Sequence, residues 1–362
     1  MSRIKTPDFT LTIGTFDFGN DEKLKKLVNE IDVDLVSDGA SSFKVVLDDR
    51  EAPFSDLEKE IKEGMSVSIG LGYADTGVDQ LFEGIVTGVN TARKEFQRKI
   101  YVVTGYDGLQ ALTRGRKRRS WEEIKDSDLA GIIANECGLQ PDTDDSEIIH
   151  PYVVQNNVTN LSFLMERAKR IGFEVKVEER RLVFKKPKRT EDCGVILTWD
   201  GTRMKEPNTS ILQRCDFDTS TMGVVKKVIV RSYDPKTAQP IIGTAEAIDG
   251  DTMGGKTNAG DAAAANNPDT TIQISDQPVA SQEEAEKLAQ SILNQKAGEY
   301  MTGRGRCEGN GKLAVGRKVN IQDVGEGVKG DYYLTSAKHS FKTGHGHGFG
   351  YWTDFTISRT GH

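Results

Sequence analysis

The sequence predicts an α+β fold that is mainly β, with two small antiparallel β-barrels carrying helix-containing insertions. Three observations support this. Short alternations of apolar and polar residues, separated by turn signals, recur through both halves of the chain. Helical periodicity is confined to four short stretches. A length of 362 residues is enough for two or more domains with substantial cores.

In the first half, Phe9, Leu11 and Ile13 alternate with Thr10 and Thr12 in a strand-like run reaching Gly19, and 31–36 and 43–47 continue the rhythm. Residues 54–61 read as a short helix closed by Gly64. Val67, Ile69, Leu71 and Tyr73 alternate cleanly, and 81–89 and 99–104 supply two further strands. Asp107 and Gly108 then turn the chain out of the sheet.

A basic loop, Arg114 to Arg119, opens a central module. Ser127 and Asp128 are N-cap candidates before a helix that stops at Gly138. Thr159 and Asn160 cap a second helix, with Leu161, Leu164, Met165 and Ala168 on one face and Gly172 at its end. Residues 173–177 and 181–184 alternate around Glu178 and Glu179 as a hairpin with one solvated face.

Beyond it, 194–199 and 211–217 are strand-like, and an apolar run from Val224 to Arg231 starts a new unit. Residues 250–270 contain almost no large apolar side chains and read as an exposed loop or tip. Ser281 caps the strongest helix, whose stripe is Ala285, Leu288, Ala289, Ile292 and Leu293 and whose stop is Gly298. Strands at 300–307, 318–324, 332–339 and 349–358 close a second barrel.

The segments YDGLQALTRG, SDLAGIIANECGL and NNVTNLSFLMERAKRIGFEVKVEERRLVF occur in this order. EGMSVSIGLGY and LFEGIVTGV precede them, and KLAVGRKVNIQDVGEGVKGDYYLTSAKHSF follows. In that order the chain resembles the hub proteins of contractile tails, the late-control-D and VgrG group. The resemblance implies two similar barrels per subunit and a ring of three subunits with pseudo-sixfold symmetry. It implies a structural hub joining a central spike to the inner tube and baseplate of a phage tail, tailocin or injection particle. It also divides the chain. Residues 1–112 form the first barrel, completed by 188–220, and 113–187 form the α/β module. Residues 221–278 and 299–362 form the second barrel, with 279–298 as a helix insertion. VgrG proteins usually continue into a spike domain, whereas this chain stops at His362, so the spike is expected to be a separate protein.

The net charge of −7 with mixed signs argues against sequence-specific nucleic-acid recognition. No basic and then apolar leader opens the chain, and no run of ~18 uncharged apolar residues occurs, so neither a membrane partner nor export by a leader is expected. Synthesis in the cytoplasm, then incorporation into a virion tail or extracellular particle, is the expected course. Cys137, Cys193, Cys215 and Cys307 form no CxxC pair and read as buried free thiols.

The sharpest chemical motif is Gly250 to Thr257, which satisfies G-x-x-x-x-G-K-[ST] and makes nucleotide binding through Lys256 and Thr257 the alternative function. A phosphate cradle needs a buried parallel strand before the loop and a helix after it. Here about five residues separate the loop from the strand-like 241–245, and the following NAGDAAAANNP has no large apolar side. His339, His345 and His347, with Asp354, could be offered to a metal, but a turn between two strands explains them better. His150, beside Pro151, has no evident partner. Glu122 with Glu123 and Asp144 with Asp145 sit in solvated runs and do not nominate a hydrolase pair. No catalytic residue, cofactor or metal ligand is nominated, and a non-enzymatic protein is expected. The basic run Arg114 to Arg119 reads as an inter-subunit or partner contact.

Overall fold

The computed structural model describes residues 5–49, 60–93, 99–206, 208–248, 253, 257–266, 270–344 and 349–361. It is α+β and mainly β. The first sheet contains β1 (Pro7–Ile13), β2 (Phe16–Asp17), β3 (Val28–Val36), β4 (Ser42–Asp49), β5 (Ser66–Tyr73), β6 (Gly77–Arg93) and β7 (Lys99–Tyr106). Helix α1 (Glu22–Lys25), capped by Asp21, precedes β3. The strands pair antiparallel in the order β3-β4-β7-β6-β5-β1-β2. Phe9, Leu11 and Ile13 register with Leu71, Ile69 and Val67, and all six are buried in one core. Residues two apart share a face, which is why the alternation read in sequence becomes a single apolar surface. Most of the helix expected at 54–61 lies outside the described residues.

Asp107 anchors the exit from this sheet. Its carboxylate accepts the Leu109 N–H at 3.0 Å, capping the 3-10 turn Gly108–Thr113, and the Ser41 N–H at 2.9 Å. The module that follows holds β8 (Lys117–Lys125), α2 (Asp126–Glu136), β9 (Gln140–Thr143), β10 (Ile149–Val158), α3 (Asn160–Ile171), β11 (Glu174–Glu178) and β12 (Arg181–Lys185). β8 and β10 form an antiparallel ribbon, and β11, β12 and β9 a three-stranded sheet. Both pack on α2 and α3 around Leu129, Ile133, Phe163, Leu164 and Phe184. Thr159 accepts the Ser162 N–H at 3.1 Å, and Gly172 closes α3 at φ +71, as their residue types predict. Helix α2, by contrast, begins at Asp126, ahead of the expected Ser127 and Asp128, and has no side-chain cap.

The second half contains β13 (Asp192–Thr198), β14 (Thr209–Thr219), β15 (Lys227–Asp234), β16 (Gln239–Ala245), α4 (Ala259–Asn266), β17 (Thr271–Ile274) and α5 (Gln282–Gly298). β18 (Met301–Glu308), β19 (Lys318–Gln322), β20 (Gly330–Lys342) and β21 (Gly350–Arg359) end it. β13 and β14 correct one expectation, because residues 188–220 do not complete the first barrel. They close a six-stranded barrel, β19-β13-β14-β18-β21-β20 and back to β19, in which β13 runs parallel to both neighbours. Leu197 and Leu212 bury with Ile321, Phe355 and Ile357. Their alternation specifies an inward face but not which sheet receives it.

Residues 221–278 supply the second correction. β15, β16 and β17 build a separate sheet, covered by α5, with Val228, Val230, Ile241, Leu288 and Leu293 in its core. A Cβ on Gly243 would stand 2.2 Å from the carbonyl carbon of Ala285, so the helix backbone lies directly on β16. The exposed loop expected at 250–270 is corrected too. Within it α4 buries Ala259 and Ala263 in the second core, and the Ala259 N–H donates to the Thr360 carbonyl at 2.8 Å. Alanine packs closely without being large, so a search for large apolar residues passes over it. Replacing 257–266 by a Gly/Ser link is expected to cost on the order of 2 kcal/mol from the two buried methyls and their contacts. An unchanged melting temperature would return the segment to a loop.

β20 and β21 join the two cores. β20 pairs with β19 through Gly330–Tyr333 and with β3 through Ser336–Lys342. Leu334, Phe355 and Ile357 therefore lie in the second core, while Phe341 and Tyr351 lie in the first. Phe341 meets Phe9 at 5.0 Å between ring centroids, and Tyr351 meets Tyr73 at 5.7 Å. Among the described residues, no helix is long and apolar enough to cross a membrane.

Candidate functional site

The basic run divides by strand parity. Lys117 and Arg119 turn inward, where both pair with Glu136 at 2.8 and 2.5 Å, and Arg119 also donates to Gln155 and Asn160. Arg119 covers the Trp121 ring at 4.6 Å, and Trp121 stacks on Phe163. These contacts hold the ribbon onto α2 and α3. Arg114, Arg116 and Arg118 are exposed. Across the ribbon Arg118 registers with Asn156, Ser120 with Val154 and Glu122 with Tyr152. The outward surface therefore runs from Arg118, with Arg114 and Arg116 before it, past exposed Val154 to exposed Tyr152 opposite Glu122.

A second cluster lies at the seam between the two insertions. His150 is not without a partner: Asp126 Oδ2 is 3.1 Å from its Nε2, and Glu284 Oε1 is 3.6 Å from its Nδ1. Arg167 donates to Asp126 through Nε at 2.5 Å, and its Nη2 stands 2.8 Å from His150 Nε2. Arg170 donates to Glu284 at 3.0 Å, and the Ala280 N–H to the other Glu284 oxygen at 2.8 Å. Asp126, His150 and Glu284 are all buried. Burial pushes the Asp126 carboxyl up, but His150 and Arg167 outweigh it and hold it below its ordinary value. Glu284 is likewise held down at about 2, with burial opposed by His150, the Ala280 N–H and Arg170. Burial favours neutral His150, but the two flanking carboxylates win and raise its pKa. The ring thus links α2 and β10 of one insertion to α5 of the other.

The remaining candidates are dispersed. His339 is fully buried, with Nδ1 3.0 Å from both Tyr351 Oη and Thr353 Oγ1, whereas Asp354 sits outside the barrel and binds Arg306. The two point to opposite faces of the sheet, and His345 and His347 lie outside the described residues. Burial depresses His339 to about 4. Since the unfolded ring titrates near 6.5, stability should fall as pH drops from 6.5 towards 4, by about 3 kcal/mol in all. His339→Gln should flatten that part of a urea-denaturation pH profile relative to the parent.

Of Gly250 to Thr257, only Met253 and Thr257 are described. β16, the strand before this motif, is an edge strand antiparallel to β15. Asp145 pairs with Lys125, while Asp144 accepts the Lys186 N–H, so these carboxylates serve different partners. Glu122 and Glu123 are exposed. The four cysteines are free, but only Cys307 is buried and the other three are half-buried, which corrects the expectation of four buried thiols. Burial keeps the Cys215 thiol protonated, with its pKa pushed up to about 12.

The fold of this chain is similar to that of solved tail proteins. The 43 kDa tail protein of prophage MuSo2 from Shewanella oneidensis superposes with a TM-score of 0.70 at 13% identity, over 98% of both chains. The tail protein of Neisseria meningitidis MC58 gives 0.65 at 13%, over 98% of this chain and 96% of that one. An Escherichia coli type VI secretion component, structurally similar to the T4 tail proteins gp27 and gp5, gives 0.61 at 12%. That match covers 97% of this chain and 78% of the other. No curated protein matches the sequence. The chain belongs to the family described as the Alg8 N-terminal domain, whose model matches residues 19–343.

Proposed function

We propose that this chain is the structural hub of a contractile tail or injection particle, where three copies close a ring that joins a central spike to the inner tube and baseplate. The observation that carries this reading is the β20–β21 hairpin, whose strands run through both β cores. Shared strands make the two cores one rigid body, so three copies can present six β units around an axis. The fold shared with tail proteins supports the same reading. In this role the chain is made in the cytoplasm, is incorporated into the particle and catalyses nothing.

Light scattering and electron microscopy of the purified chain, alone and with spike and tube subunits, test the proposal. A threefold ring is expected. A stable monomer in the presence of the spike would overturn it.

The antiparallel edge position of β16 weighs against the nucleotide-binding alternative, because a phosphate cradle follows a parallel strand. Micromolar binding of a labelled nucleotide that is lost in Lys256→Ala would favour that alternative.

A further inference from the structure

We propose that the β8–β10 ribbon docks an extended, acidic segment of a partner protein as a third strand along β8. Three observations meet at this surface. First, β8 and β10 pair only with each other among the described residues, so each presents an edge of unpaired backbone groups. Such edges are ordinarily covered or blunted. Second, Tyr152 and Val154 are 58% and 47% exposed on the outward face, and Ile149 is 56% exposed at the start of β10. An exposed aromatic on the same face as an exposed arginine, with Arg118 two pairs further along the ribbon, has the composition of an interface. Third, Arg114, Arg116 and Arg118 are exposed and have no carboxylate partner among the described residues, in a chain of net charge −7.

The occupant follows from charge and spacing. Arg116 and Arg118 are two residues apart, roughly 7 Å along an extended chain, which matches carboxylates on alternate residues of an added strand. β8 is the receiving edge because the arginines flank it, whereas β10 contains Pro151, which has no N–H to donate. A nucleic acid fits less well, since Tyr152 and Val154 offer apolar contact; the occupant's carboxylates belong at the Arg116–Arg118 end, and uncharged residues belong beside Glu122 and Glu123.

The test uses the full chain and a fluorescein-labelled peptide of about ten residues that alternates glutamate with valine in the half meeting Arg116 and Arg118 and carries only valine and threonine in the other half. Controls are its lysine counterpart and a single-stranded oligothymidine. Saturable binding of the acidic peptide is expected, weakening with added salt and falling about tenfold or more in the Arg116→Glu, Arg118→Glu double variant. Tyr152→Ser should also weaken it without changing charge. Hydrogen exchange should slow across 117–122, and unchanged melting temperatures would show that the variants fold. Absence of saturable binding, equal binding of the lysine peptide, indifference to the variants, or protection elsewhere would each overturn the proposal. Preferential binding of the oligonucleotide would overturn it in favour of a phosphate-binding surface. The inference is independent of the hub reading, because ring formation and peptide binding are measured separately.

Discussion

Replacing Leu288 by alanine is expected to lower the unfolding free energy by about 2–5 kcal/mol, the range for truncating a leucine in a well-packed core. Leu288 is 2% exposed and lies on the face of α5 that packs against Val228, Val230 and Ile241 of the small sheet. Repair by collapse is restricted, because α5 is held on both sides. Gly243 brings β16 against the helix backbone at Ala285, and Ser291 Oγ donates to the Lys169 carbonyl at the end of α3. Thermal melting and urea denaturation of the isolated subunit measure the loss. If melting is unchanged but assembly fails, the residue belongs to an interface between copies; if neither changes, the burial described for α5 is wrong.

Asp126→Ala is expected to cost about 3–5 kcal/mol, because it strips the largely buried Arg167 of its carboxylate and leaves buried His150 with Glu284 alone. Removing one member of a buried ionic set is far more damaging than the net value of the set would suggest, since the stranded charge has already lost its water. The same network gives the seam a pH window. Glu284, held down at about 2, contributes stability that is present above its ordinary 4.5 and is lost as pH falls towards 2. His150, raised above its ordinary 6.5, contributes stability that is present below 6.5 and is lost as pH rises through its folded value. The seam should therefore be firmest between about pH 5 and 6.5. Exchange of the α5 amides, followed against pH, should be slowest in that window. A flat profile, or a penalty under 1 kcal/mol for Asp126→Ala, would show that the cluster is solvated in solution.

Much of the secondary structure is legible in the sequence. Phe9, Leu11 and Ile13, the Thr159 and Gly172 ends of α3, and the Ser281 cap of α5 all stand where alternation and capping rules place them. Those rules rest on backbone geometry within a few residues, which the local sequence controls. The parity of Lys117 and Arg119 against Arg116 and Arg118 was equally available, but only a strand assignment for β8 would have revealed it. Candidate sites fared less well. Asp126 and His150 are 24 residues apart and Arg170 and Glu284 are 114 apart, so no spacing rule brings them together.

What the amino-acid sequence alone determined is which residues of the alternating strands face inward, where α3 and α5 begin and end, and that the chain is mainly β. Tertiary structure decided that residues 192–219 join the second barrel, that 227–274 form a sheet of their own under α5, and that one hairpin runs through both cores. An apolar alternation is satisfied by any sheet that offers it a dry face, so the choice among sheets is made by the packing of the whole chain and not by the strand itself.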